Sequence, residues 1–228
     1  MPDVEFPCNG SGSTTSGYLA VPESGAGPAV VVLQEWWGLV PEIRGVCDSL
    51  AREGFLALAP DLFHGETTEQ PDEAEQKMMA MNMDAAVKEM SGAVDFLAAH
   101  EGHQGERIGA LGFCLGGGLA VWAASVNPKI AATVSYYYVM PHGKPDFSAI
   151  HGPVLGHFGT ADDFVSVDAA RELEQELRDA DVPVEFHFYD DAGHAFMNEA
   201  DRLGTYNPEA AGMSWNRTIR FLETNLAS

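Results

Sequence analysis

The chain has 228 residues, 46% of them hydrophobic and 20% charged, which suits one α/β domain with a large core and excludes a disordered chain. Its 34 Asp and Glu against 12 Lys and Arg give a net charge of −22, a field that repels nucleic acid and anionic membranes, so neither is an expected partner. No apolar run reaches membrane-spanning length, and the start Met-Pro-Asp-Val-Glu lacks the regions of a signal peptide. Three cysteines (Cys8, Cys47, Cys114) at unrelated spacings argue against a disulfide framework or a zinc cluster and fit a reducing cytoplasm.

The acidic residues are dispersed rather than gathered in a tail, and only four lysines are present: Lys77, Lys88, Lys129 and Lys144. Two readings stand open: an ordinary acidic enzyme, or adaptation to high salt, where a short Debye length screens self-repulsion.

In chain order, Val4 to Phe6 and Gly17 to Val21 flank a Gly/Ser/Thr-rich turn and read as an antiparallel hairpin. Ala29 to Leu33 is a continuous apolar run, typical of a strand buried on both faces, and Gln34-Glu-Trp-Trp-Gly38 follows at its C-terminal end. Pro41 to Glu53 reads as an amphipathic helix and Phe55 to Ala59 as a strand. After a polar loop from Leu62 to Asp72, Glu73 to His100 reads as one long helix or a broken pair. Strands follow at Arg107 to Leu111, Ile130 to Tyr136, Val154 to Gly159 and Val184 to Tyr189, with helices at Leu115 to Ser125, Asp168 to Ala180 and Pro208 to Leu226. Strands separated by helices predict a mostly parallel sheet with helices on both faces. No internal repeat or linker interrupts the pattern, so residues 1–228 read as a single domain.

The chain is organised around Gly109-Ala-Leu-Gly-Phe-Cys-Leu-Gly-Gly-Gly118. Gly112-Phe-Cys-Leu-Gly116 has the G-x-nucleophile-x-G form of a nucleophile elbow, with cysteine in the nucleophile's place. A tight strand-to-helix turn strains the backbone at the nucleophile and needs glycine where a Cβ would collide. The free N–H groups of the following helix favour a thiolate and a developing oxyanion. A phosphate loop would want a lysine or a dinucleotide fingerprint, and the stretch has neither.

A cysteine elbow needs a base and a group to orient it. Downstream come Asp162 and Asp163 after one predicted strand, then Gly193-His194 after the last. That order, nucleophile then acid then histidine, is the order of α/β-hydrolases, and strand C-terminal ends are where an open parallel sheet places ligands. The remaining histidines (64, 100, 103, 142, 151, 157 and 187) lack metal-ligand spacing and read as structural or solvent-exposed. No metal and no cofactor is expected.

The chain resembles the dienelactone hydrolase family, the cysteine-nucleophile branch of the α/β-hydrolases. The resemblance rests on Gln34-Glu-Trp-Trp-Gly38, Ala59-Pro-Asp-Leu-Phe63, Gly112-Phe-Cys-Leu-Gly-Gly117, Ser135-Tyr-Tyr137, His157-Phe-Gly159 with Asp162-Asp-Phe-Val165, and Ala192-Gly-His-Ala-Phe196, in family order over nearly the whole chain. It implies an α/β-hydrolase fold with an N-terminal antiparallel hairpin, and a small ester or lactone as partner molecule. It casts Cys114 as nucleophile, His194 as base, Asp162 (three residues after Gly159) as orienting acid, and Glu35 as an extra carboxylate that contacts the thiol. It further implies an oxyanion hole of the Leu115 and Trp36 N–H groups. Trp37, Tyr137 and Phe196, with Trp36, are expected aromatic walls of a substrate pocket. The implied reaction is acyl transfer through a thioacyl-enzyme.

Family members that hydrolyse dienelactone hold its carboxylate with two arginines. Here one of those positions is Asn198, and Glu66 to Ala86 contains Lys77 but no arginine, with Met78, Met79, Met81 and Met83 in the same region. The expected substrate is therefore a neutral or differently held ester or lactone rather than dienelactone itself. A non-catalytic ligand-binding homologue and a redox-sensing thiol at Cys114 are the alternatives, separated from an enzyme by turnover.

Overall fold

The computed structural model describes residues 3–10 and 12–227; Met1, Pro2, Ser11 of the predicted hairpin turn, and Ser228 lie outside the described residues. Eight strands form one sheet in the order β1-β2-β4-β3-β5-β6-β7-β8. They are β1 (Asp3–Pro7), β2 (Thr14–Ala20), β3 (Gly27–Leu33), β4 (Leu56–Pro60), β5 (His103–Phe113), β6 (Ile130–Tyr136), β7 (Val154–Gly159) and β8 (Val184–Tyr189). β1 and β2 form the antiparallel hairpin, β2 pairs antiparallel with β4, and every pairing from β4 to β8 is parallel.

Six helices cover the sheet: α1 (Pro41–Arg52), α2 (Pro71–Ala80), α3 (Met83–Ala99), α4 (Leu115–Val126), α5 (Val167–Asp179) and α6 (Pro208–Leu226). α1 opens on a proline at its first turn, where a missing N–H costs nothing, and buries Ile43, Cys47, Leu50 and Ala51 along one stripe. β3, β4 and β7 are buried along almost their whole length because helices cover both faces. Gly109 in β5 lets α6 pack closely: an added Cβ would lie 3.0 Å from the side chains of Leu222 and Leu226, which would have to shift by a few tenths of an ångström.

The region from Glu73 to His100 is a broken pair. α2 ends at Ala80, and Asn82 starts α3 by accepting the Ala85 N–H on its side chain at 3.1 Å, the cap that ends any single-helix reading. β5 begins four residues before the predicted strand. His103 is half-buried and residues 104–107 are exposed, so the stretch carries no apolar signature, and His103 pairs with Gly27 of β3 across an irregularity in register. A single 3-10 turn at Phe147–Ala149 is capped by Asp146 and was not expected from the sequence.

Parallel strands bring their C-terminal ends to one rim. Glu35 and Trp36 follow β3 there, Cys114 follows β5, Tyr137 follows β6, Asp162 follows β7 and His194 follows β8. No helix of the described residues is long and apolar enough to cross a membrane.

Candidate active site

Cys114 occupies the sharp turn between β5 and α4 with φ 55° and ψ −118°, a conformation that L-residues rarely adopt. Backbone hydrogen bonds hold it there. The Cys114 N–H donates to Tyr136 O at 3.0 Å, and Cys114 O accepts from the N–H groups of Gly117 at 2.9 Å and Val139 at 3.1 Å. The flanking glycines are required sterically: a Cβ on Gly112 would stand 1.9 Å from Gly116 O, and one on Gly116 would stand 2.1 Å from Leu33 O. The cysteine is nearly buried at the start of α4, whose first N–H groups have no intrahelical acceptor.

His194 lies in the loop after β8. Its Nδ1 is 2.9 Å from Asp162 Oδ2, with the two side chains only 3% and 1% exposed. Asp162 is fixed in turn, because its Oδ1 accepts the N–H groups of Phe164 at 2.7 Å and Val165 at 2.8 Å. Asp163 is exposed and makes no comparable bond with His194. The structure thus brings together the elbow cysteine, the histidine and the first of the two aspartates.

Burial alone would lower the His194 pKa. The side-chain bond to Asp162 and the Cys114 thiol outweigh it and raise the pKa from 6.5 to about 10, which favours the imidazolium. His194 Nε2 is buried without a hydrogen-bond partner among the described residues. No thiol–imidazole bond of good geometry forms in this resting arrangement, yet the thiol acts on the ring.

Glu35 is buried at the end of β3, and its carboxylate Oε2 accepts the Asn198 Nδ2–H at 2.7 Å. Its described hydrogen-bond partner is therefore Asn198, not the thiol. Desolvation raises its pKa from 4.5 to about 6, opposed by the Asn198 bond and by the positive charges of His194 and Arg202. Asn198 is itself anchored, its Oδ1 accepting the Ala200 N–H at 3.0 Å. The Leu115 N–H at the first helical position and the Trp36 N–H after β3 have no backbone acceptor among the described residues.

The aromatic residues divide. Trp37 is 1% exposed and Phe196 0%; Phe196 packs among Tyr136, Tyr137 and Tyr189, so both side chains belong to the core. Tyr137 is also buried, at φ 37°, with its ring centroid 5.0 Å from that of His194. On the outer side stands Phe164, which sequence reading passed over. It is 57% exposed, its ring centre is 4.7 Å from that of His194, and it meets Trp36 edge-on at 6.0 Å. Its only sequence signal is an aromatic residue next to two acids in a loop.

A cavity of about 720 Å³ lies between α1 and the start of α6, with Glu35, Tyr137 and Asn198 on its wall; neither Cys114 nor His194 lines it. None of Met78, Met79, Met81 and Met83 lines it either. Lys77 is paired with Glu66, and Arg202 lies 3.3 Å from both carboxylate oxygens of Glu42. Among the described residues no group of three or more His, Cys, Asp or Glu side chains is placed to hold a metal ion.

An eight-stranded sheet in this order, with a strained nucleophile-type turn after β5 and a histidine–aspartate pair on the same rim, defines a protein of the α/β-hydrolase fold. The profile of the dienelactone hydrolase family matches residues 15–226, and the chain belongs to that family of hydrolases. It is 35% identical to Protein usf of Aquifex pyrophilus over 98% of each chain. It is 33% identical to a carboxymethylenebutenolidase of Rhodococcus opacus, over 92% of this chain and 86% of the other. The solved structure m3DLH superposes with a TM-score of 0.88 at 27% identity, covering 99% of this chain and 98% of that one.

Proposed function

We propose that the protein hydrolyses small esters or lactones that carry no carboxylate, through a thioacyl-enzyme on Cys114. The observation that carries this reading is the Cys114 elbow at φ 55° on the same rim as the 2.9 Å His194–Asp162 pair. Asp162 holds the His194 ring by Nδ1 and leaves Nε2 for the reacting groups.

The thiolate sulfur attacks the ester carbonyl and forms a carbon–sulfur bond, while the carbonyl oxygen takes the electron pair and rests on the Leu115 and Trp36 N–H groups. Collapse breaks the ester carbon–oxygen bond, and the leaving alkoxide takes the His194 proton. A water molecule then gives its proton to His194 and attacks the thioester carbon. The carbon–sulfur bond breaks, the acid departs, and the thiolate–imidazolium pair returns. Glu35, as a buried carboxylate near His194, supports the imidazolium.

Substrates without a carboxylate follow from the surroundings. Asn198 stands where a carboxylate-binding arginine would be, and no Lys, Arg or His lines the adjoining cavity. A substrate carboxylate would meet Glu35 without a bidentate cation. The test is kcat/KM on p-nitrophenyl acetate and on dienelactone in parallel. The reading expects the neutral aryl ester to be the better substrate; a clear preference for dienelactone would overturn it.

A further inference from the structure

The cavity between α1 and α6 is not explained by the reaction centre. Its wall carries three carboxylates, Glu35, Glu42 and Glu199, and four aromatic rings, the buried Phe113 and Tyr137 and the partly exposed Tyr206 and Trp215. No basic side chain lines it; Arg202 reaches Glu42 from outside the lining, which leaves the wall with an excess of negative charge. Tyr137 supplies an independent sign of a ligand. It is fully buried on this wall, and its hydroxyl has no hydrogen-bond partner among the described residues. A buried phenol left unpaired is disfavoured, so an occupant that bonds to it is favoured.

We propose that this cavity is a binding site for an organic ammonium ion that bears an apolar group. Carboxylates neutralise the charge, aromatic faces attract a cation and accommodate the apolar part, and the Tyr137 oxygen can accept an ammonium N–H. An anion is excluded by the same wall, and a neutral isostere of the ligand gains only the apolar contacts. The ammonium is either a free amine or the distal end of an ester whose carbonyl sits at Cys114, since Glu35, Tyr137 and Asn198 border both spaces.

Calorimetric titration of the full chain with benzylammonium, benzyl alcohol and benzoate tests the site without reference to hydrolysis, and Cys114→Ala protein should give the same result. The expected outcome is saturable one-to-one binding of benzylammonium, at least about tenfold tighter than benzyl alcohol, with no binding of benzoate. Glu199→Gln and Trp215→Leu should each weaken benzylammonium several-fold while leaving the melting temperature and the hydrolysis of p-nitrophenyl acetate unchanged. Equal binding of amine and alcohol, or amine binding untouched by both substitutions, overturns the proposal. A second arm, which does rest on the hydrolase reading, compares a p-nitrophenyl ester carrying a terminal ammonium with its alkyl isostere. A higher kcat/KM for the ammonium ester, with competition by benzylammonium, assigns the site to the substrate; equal kcat/KM without competition assigns it to a free amine.

Discussion

Glu35 joins catalysis to stability in a way that one substitution separates. In the fold its pKa rises from 4.5 to about 6, because burial disfavours the carboxylate more than Asn198, His194 and Arg202 favour it. The folded state therefore holds this proton more tightly than the unfolded chain. Stability linked to the group is complete below pH 4.5 and is lost as pH rises through about 6. At about 1.4 kcal/mol for each tenfold in proton affinity, the loss above pH 6 is about 2 kcal/mol. Glu35→Gln keeps an oxygen for the Asn198 Nδ2–H and removes the titration. Urea denaturation at fixed ionic strength should show the variant gaining about 2 kcal/mol relative to the parent between pH 4 and pH 8. The same variant should turn over p-nitrophenyl acetate more slowly, since the imidazolium loses a nearby negative charge. A gap between variant and parent that is the same at both pH values, or that widens against the variant at pH 8, would refute the argument.

The other expectations concern single groups. Asp162→Asn should lower kcat by about 10³–10⁴-fold by losing the acceptor at His194 Nδ1, whereas Asp163→Asn should leave kcat at the parental level; steady-state kinetics on one ester decides between the two aspartates. Phe164→Ala should raise KM for aryl esters roughly 3- to 10-fold with kcat little changed, because the ring that faces His194 and Trp36 is outside the chemistry; an unaltered KM would remove Phe164 from the substrate path. Thermal unfolding should move to higher temperature from dilute buffer to molar KCl. Screening forfeits surface pairs such as Lys129–Asp95 that contribute little, and relieves repulsion in a chain of charge −22. A melting temperature independent of KCl would refute the salt-adaptation reading.

Much of the fold was legible because its signals are local. β6, β7, β8 and α6 were readable to their ends, since apolar or alternating runs bounded by turn residues, or a helix opened by a proline, leave little choice of boundary. The polar first half of β5 was not, because its pairing with β3 is set by a neighbour distant in sequence. At the rim, Cys114 was singled out by the glycines around it, and His194 by its place after the last strand in the order nucleophile, acid, histidine. The choice of Asp162 over Asp163 came only from register with a family, and its geometric basis is the side-chain bond to His194. Trp37 and Phe196 could not be told from pocket walls in the sequence, because an aromatic side chain fills a core and lines a pocket with the same chemistry. The Asn198–Glu35 bond and the position of Phe164 over His194 arise from loops meeting across the rim, for which no spacing rule exists.

The central claim is that Cys114 carries the acyl group. Rapid mixing of the protein with p-nitrophenyl acetate, acid quenching and mass analysis of the intact chain and its peptides addresses it directly. The account predicts a transient mass increase of one acetyl group on the peptide containing Cys114, a matching burst of p-nitrophenol, and loss of both burst and turnover in Cys114→Ala. Undiminished turnover in Cys114→Ala, or an acetyl group that appears only on other residues, would contradict it.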